Sequence, residues 1–158
     1  MRGLIVWLAA SLATGAIGAL ATRNAREFYA GLVKPEWAPP GWLFGPVWTV
    51  LYLLMGVAAW LVWRRAGWAG AGVALSLFLA QLICNALWSW VFFAWRRGAW
   101  ALADIVLLVV LIVATLVAFA RVDRLAALLL VPYLAWVLFA TALTDAVWRA
   151  NPDQLSPR

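Results

Sequence analysis

No histidine occurs anywhere in this chain of 158 residues. That removes the commonest metal ligand and the commonest proton shuttle. There is one cysteine, Cys84, so an internal disulfide is excluded and the redox compartment stays open. Charge is scarce as well. Only 11% of residues are charged and 68% are hydrophobic, where ordinary soluble domains run near a quarter and a half. A soluble chain of this length would lack the polar surface to cover such a core, so the bilayer is the expected solvent. No Ser/His/Asp arrangement, metal cluster or nucleotide loop can be read, which leaves ground-state acid–base catalysis without an agent. The net charge of +6 does not indicate nucleic acid, because the arginines come in pairs between apolar runs rather than along one face. They read as juxtamembrane anchors.

Apolar runs are what the chain has in abundance, and a spanning helix needs about 20 such residues. The pattern predicts an all-α integral membrane bundle, one domain over 1–158, with five transmembrane helices over about 4–21, 46–63, 72–93, 99–119 and 125–148. Residues 22–45 form a long, partly helical first loop acting as a lid, and 150–158 a polar tail. The first run competes with a signal peptide, since Ala19-Leu20-Ala21 resembles a cleavage site, but it is longer than a signal's apolar region. Its small residues, Ala9 with Ala13 and Gly15 with Ala19, suit close helix packing. Gly72, Ser76 and Ala80 make a second small-residue stripe and a candidate dimer seam. Arg64-Arg65 with Gly67, Arg96-Arg97-Gly98 and Arg121 to Arg124 read as turns. Pro132 should kink the fifth helix.

Tryptophan is the other excess: 13 residues, three of them in the stretch Lys34–Trp48, which also holds four of the seven prolines. Prolines fix φ and remove donors, so this connector is stiff. Trp37 and Trp42 on it serve either as an interfacial belt or as a lid over a flat apolar ligand. Phe28, Tyr29 and Leu32 form one stripe on a short helical piece. Trp48 and Tyr52 are four apart and share a helix face. Gln81 and Asn85 are also four apart, in mid-span, where polar groups face the bundle interior. They act as interhelical glue or as ligand contacts. Asp104 lies one to two turns inside the fourth span, where an unpaired ionised Asp costs about 2.5–3.5 kcal/mol.

Five spans place the termini on opposite sides. Lysines and arginines number five on the N-terminal side (2, 64, 65, 121, 124) and seven on the loop side (23, 26, 34, 96, 97, 149, 158). The positive-inside rule puts the long loop and the C-terminus in the cytoplasm. On this topology Trp48, Asn85, Trp88 and Asp104 lie in the half of the bundle beneath the proline-rich loop, with Trp136 near mid-membrane. Convergence of aromatics with a few polar groups favours a ligand pocket. Indole walls suit a flat fused-ring molecule, and Arg23, Arg26 and Lys34 at the rim suit carboxylates. A tetrapyrrole has both features and a sterol only the flat body. A haem iron would need an axial ligand, for which only Cys84, two methionines and three tyrosines exist. A metal-free porphyrin fits better, no metal site is expected, and no cofactor is required.

The segments KPEWAPPGWLFGPVWTVLYLLMG, QLICNALWSWVFF, ALADIVLL and PYLAWVLFATAL resemble the tryptophan-rich sensory protein family (TspO), also called translocator protein or peripheral-type benzodiazepine receptor. The resemblance runs over nearly the whole chain, in order and in spacing. It implies a five-helix membrane protein, often a homodimer, that binds porphyrins, sterols and benzodiazepine-type ligands in a pocket closed by the first loop. It implies that Trp48 and Trp136 are pocket tryptophans, associated in the family with light-dependent breakdown of protoporphyrin. It matches Gln81, Asn85, Asp104 and Ala140 to family positions. The family's sterol motif at the end of the fifth helix has Thr144 and Asp145 in place of its asparagine and tyrosine, which disfavours sterols and leaves porphyrins untouched.

Three functions are open on these grounds. The favoured one is a membrane receptor or sensor that binds protoporphyrin-type tetrapyrroles, and otherwise sterols or benzodiazepine-type ligands, and regulates tetrapyrrole-linked or stress responses. It would act in a bacterial cell membrane as a homodimer with lipid and a flat apolar small molecule as partners. The second is an enzyme that degrades protoporphyrin photo-oxidatively, with Trp48 and Trp136 as the catalytic pair. The third is a transporter of tetrapyrrole or sterol, which the lack of internal repeats disfavours.

Overall fold

The computed structural model describes residues 1–156, so Arg158, counted above among the loop-side cations, lies outside the described residues. Every regular element among the described residues is helical: α1 (Arg2–Ala21), α2 (Ala25–Gly31), α3 (Phe44–Ser89), α4 (Gly98–Ala120), α5 (Arg124–Ala150) and α6 (Pro152–Leu155). A 3-10 turn at Gly41–Leu43 leads into α3 and a π turn at Trp90–Ala94 leads out of it. Four helical stretches are long and apolar enough to cross a membrane: Arg2–Ala21, Gly41–Ala94, Gly98–Ala120 and Arg124–Ala150.

The second and third predicted helices both fall within Phe44–Ser89, as two helices that meet at a break, and Arg64-Arg65 itself is still helical. The direction changes a little later, at Gly67 (φ 56°, ψ −168°) and Ala71 (φ −133°, ψ 20°). Gly67 occupies a region of backbone space that is essentially closed to residues with a Cβ, and it lets α3 double back. Tyr52 consequently meets Asn85, and Met55 meets Gln81, across the two halves.

α1 runs antiparallel along the first half of α3. The approach is closest at Gly56, where a Cβ would stand 2.9 Å from the Cα of Leu8. The face that α1 buries is Trp7, Ser11, Thr14 and Gly18. Of the small residues expected to pack, Gly15 does so, a Cβ there standing 2.8 Å from the Tyr52 ring, whereas Ala9, Ala13 and Ala19 are exposed. Three of the four residues on the buried face have short side chains or none, which lets α1 lie close against its neighbours. α5 runs through Pro132 without interruption, leaving the Leu128 carbonyl without its usual donor.

The end of the bundle away from the connector is tied by Asp123. Its side chain is 3% exposed. One oxygen accepts from the N–H groups of Leu125 (2.8 Å) and Ala126 (3.2 Å), capping α5. The other lies 2.8 Å from Nε of Arg65 on α3. At the connector end the tail is not a free polar segment. Leu155 of α6 is fully buried in a cluster with Phe28, Leu32, Val91, Phe92, Ala101, Leu143 and Val147. Asn151 Oδ1 accepts from Val33 N at 2.8 Å, and its Nδ2 donates to Val33 O and to Val147 O, both at 2.8 Å. One side chain thus staples the connector to the end of α5.

Candidate functional site

The connector is ordered by its own polar groups. Tyr29 donates its phenol proton to Pro39 O at 2.8 Å, and burial raises this phenol above its ordinary pKa of 10.0. Lys34 Nζ donates to Tyr29 O at 2.6 Å and Leu32 O at 3.1 Å, so it caps α2 instead of standing at a rim. Arg96, at a positive φ of 53°, sets its guanidinium over the Phe28 ring, 4.5 Å from the centroid.

Beneath the connector lies a cavity of about 570 Å³ between α1, both ends of α3, the π turn and α5. That size is within the range of small-molecule sites. Of the residues singled out in the sequence, Trp42, Trp48, Tyr52, Trp88, Trp136, Ala140 and Arg26 line it. Trp48 stacks on Tyr52 with ring centroids 5.5 Å apart. Trp88 stacks on Phe92 at 5.2 Å. Trp136 packs against Phe44 at 5.9 Å and Phe139 at 5.4 Å. The walls are thus indole and phenyl faces held by other rings, which suits a planar ligand. Two polar atoms in these walls are orphaned: Nε1 of Trp88 and Nε1 of Trp136 are buried without a partner among the described residues. An unsatisfied buried donor costs about 1–3 kcal/mol. Arg26 supplies the positive charge at the exposed edge.

The remaining candidates lie elsewhere. Trp37 is outside the cavity and packs edge-on against Phe139, 5.6 Å away, behind Trp136. Arg23 is exposed and does not line the cavity. Gln81 and Asn85 are buried one layer deeper. Tyr52 OH donates to Asn85 Oδ1 at 2.6 Å, Asn85 Nδ2 donates to Tyr133 OH at 2.8 Å, and Tyr133 OH donates to Gln81 Oε1 at 2.6 Å. Asn85 thus holds Tyr52, which backs Trp48, and both amides hold Tyr133. Tyr133 packs on Trp48 as well, at 6.2 Å. Asp104 points away from this chamber, toward a groove between the end of α3 and the start of α4.

Sequence reading did not single out Tyr133, Asn151 or Asp123. Tyr133 carried a signal: it is three residues from Trp136 and follows the helix-internal Pro132. Asn151 precedes Pro152 at a helix end, a usual place for a capping amide. Nothing local identifies its partner Val33, 118 positions away.

The model of the TspO/MBR family matches residues 7–149. Among curated proteins the chain is 46% identical to the tryptophan-rich protein TspO of Chlorobaculum tepidum, over 89% of this chain and 90% of that one. It is 48% identical to the translocator protein of Homo sapiens over 79% of this chain and 75% of that one. It is 42% identical to the tryptophan-rich sensory protein of Cereibacter sphaeroides over 93% and 90%. With its apolar helices and its tryptophan-lined chamber, the chain belongs to the TspO/MBR family of integral membrane proteins.

Proposed function

We propose that this protein is an intramembrane receptor for protoporphyrin-type tetrapyrroles, acting in tetrapyrrole-linked or stress regulation. The observation that carries this reading is the composition of the cavity: four indoles on three sides, two with unpartnered N–H groups, and Arg26 at the exposed edge. A metal-free porphyrin offers a flat apolar body to the rings and carboxylates to the guanidinium. A sterol offers one hydroxyl and leaves most of these groups unmatched. The doubling of α3 at Gly67 supports two crossings by that helix and five in all. Exposed Ser76, flanked by half-buried Gly72 and Ala80, supports a homodimer through that face. The name of the Cereibacter sphaeroides relative, a sensory protein, agrees with a sensing role.

The test is quenching of tryptophan fluorescence by protoporphyrin in the dark. Saturable quenching is expected, weakened in Trp48→Phe and in Trp136→Phe. Quenching that is linear in porphyrin, or indifferent to both substitutions, refutes the reading. A second reading, light-driven oxidative degradation, is favoured by Trp48 and Trp136 facing one chamber. It expects loss of the porphyrin's visible absorbance on illumination, abolished in the double variant. Equal loss with and without both indoles excludes it.

A further inference from the structure

A second depression lies on the outer face of the bundle, away from the tryptophan chamber. It is bounded by Leu87 and Trp95 at the end of α3 and its π turn, and by Trp100, Asp104 and Leu107 on α4, with Arg97 at the rim. It is open and large, about 820 Å³. Trp95 and Trp100 stand 56% and 63% exposed beside it. The π turn that shapes it closes with an N–H of Trp95 to Trp90 O at 2.8 Å, and π turns recur at functional sites.

Asp104 is the polar feature of this groove. From the α3 side the Cys84 thiol donates to its Oδ1 at 3.3 Å and to its backbone oxygen at 3.4 Å. The other carboxyl oxygen, Oδ2, is buried and has no partner among the described residues. Leaving it so is costly at this depth. Asp104 is the seventh residue of α4, so it sits about 9 Å along the helix from its start at 1.5 Å per residue. The phosphate of an ordinary bilayer lipid stays at the surface, level with Arg97, and its ester groups only accept. A hydroxyl is different. It donates to Oδ2 when Asp104 is ionised and accepts from it when Asp104 is protonated.

We propose that this groove binds a neutral lipid with one free hydroxyl, of the diacylglycerol kind. The hydroxyl completes the hydrogen bonding of Asp104, and the hydrocarbon lies along Trp95, Trp100 and Leu107. The site is separate from the porphyrin chamber and stands or falls independently of it.

The experiment uses the full chain in phosphatidylcholine vesicles. Tryptophan quenching by a brominated diacylglycerol is compared with quenching by brominated phosphatidylcholine at equal bromine content. The diacylglycerol should give an excess that saturates at low mole fraction, and the Trp95→Phe/Trp100→Phe protein should lack it. Asp104→Leu should abolish the excess, and Asp104→Asn, which still donates and accepts, should keep part of it. Ala103→Phe, which fills the groove from an exposed position, should abolish it with the carboxyl intact. Equal quenching by both lipids overturns the proposal, as does an excess that persists in both Asp104→Leu and Ala103→Phe. If neither lipid reaches Trp95 and Trp100, a second copy of the chain covers the groove, and the proposal fails.

Discussion

Replacing Asn151 with alanine should release the connector from the bundle. Three bonds of 2.8 Å are lost, two to Val33 and one to Val147 O. A hydrogen bond contributes about 0.5–1.5 kcal/mol net, so the three together are worth about 1.5–4.5 kcal/mol. Val33 is 63% exposed, and its freed N–H and C=O can take water, which puts the expected loss near the lower half, about 2 kcal/mol. At 1.36 kcal/mol per factor of ten, that is about a 30-fold rise in the population of the opened connector. Trypsin reads this directly, because Arg23 and Arg26 lie in the segment that opens (Lys34 precedes Pro35 and is not cut), and cleavage of a transiently opened segment tracks its population when reclosing is fast. The rate of cleavage at these two positions should rise about 30-fold, while the helices stay intact by circular dichroism. Asp145→Ala, which removes an exposed ion pair with Arg149 one turn earlier, is the control and should change little. If Asn151→Ala is cleaved at the wild-type rate, then Asn151 does not hold the connector, and α6 with the buried Leu155 carries that task alone.

At the opposite end, Asp123→Ala should lower thermal stability in detergent by more than Arg65→Ala does. It removes an N-cap, worth about 0.5–2 kcal/mol, in addition to the ion pair, whereas the Arg65 side chain is 59% exposed; equal melting shifts would show that the cap is idle. Gly56→Ala should destabilise by about 1–3 kcal/mol, because the new methyl meets the backbone of Leu8 at 2.9 Å; an unchanged melting temperature would mean that α1 is free to move. The connector should also loosen in alkali. The raised pKa of Tyr29 means that the folded state prefers the neutral phenol, so its contribution is complete below the ordinary value of 10.0 and is lost as pH rises above it. Tryptic cleavage should therefore accelerate above that pH in the wild type, and Tyr29→Phe should remove that part of the pH response.

Much of the architecture was legible because bilayer chemistry writes it into composition. Long apolar runs, paired arginines and a proline-rich connector give the helical class and the rough boundaries. Arg64-Arg65 and Gly67 read together as a stop, and the break falls at the glycine of that group. Ala9, Ala13, Gly15 and Ala19 read as a packing set, yet of these Gly15 meets a neighbour closely while the alanines are exposed, and the buried face is Trp7, Ser11, Thr14 and Gly18. The terminal segment reads as polar, yet one residue in it, Leu155, is apolar and fully buried. For α1 and for the terminal segment a local pattern was outweighed by partners distant in sequence. Lys34 differs, since its charge suits a ligand's carboxylate but is spent on the neighbouring carbonyls of Tyr29 and Leu32.

Gln81 and Asn85 show how far sequence could take the site. Their spacing placed them inside the bundle and left two roles open, glue or ligand contact. The geometry joins the two roles through Tyr52. A tryptophan that must stack on a ligand has to be held flat while the chamber is empty, and only a firm surface behind it does that. Trp48 has Tyr52 behind it at 5.5 Å and Tyr133 beside it at 6.2 Å. Both phenols are fixed by the amides, Tyr52 by Asn85, and Tyr133 by Gln81 and Asn85. Apolar residues in place of the amides would leave two phenol hydroxyls unpaired in the core, at about 1–3 kcal/mol each, and would free the rings to turn. The polar cluster is therefore glue in its contacts and a positioning element in its effect: it sets the aromatic wall of the chamber from one layer behind it.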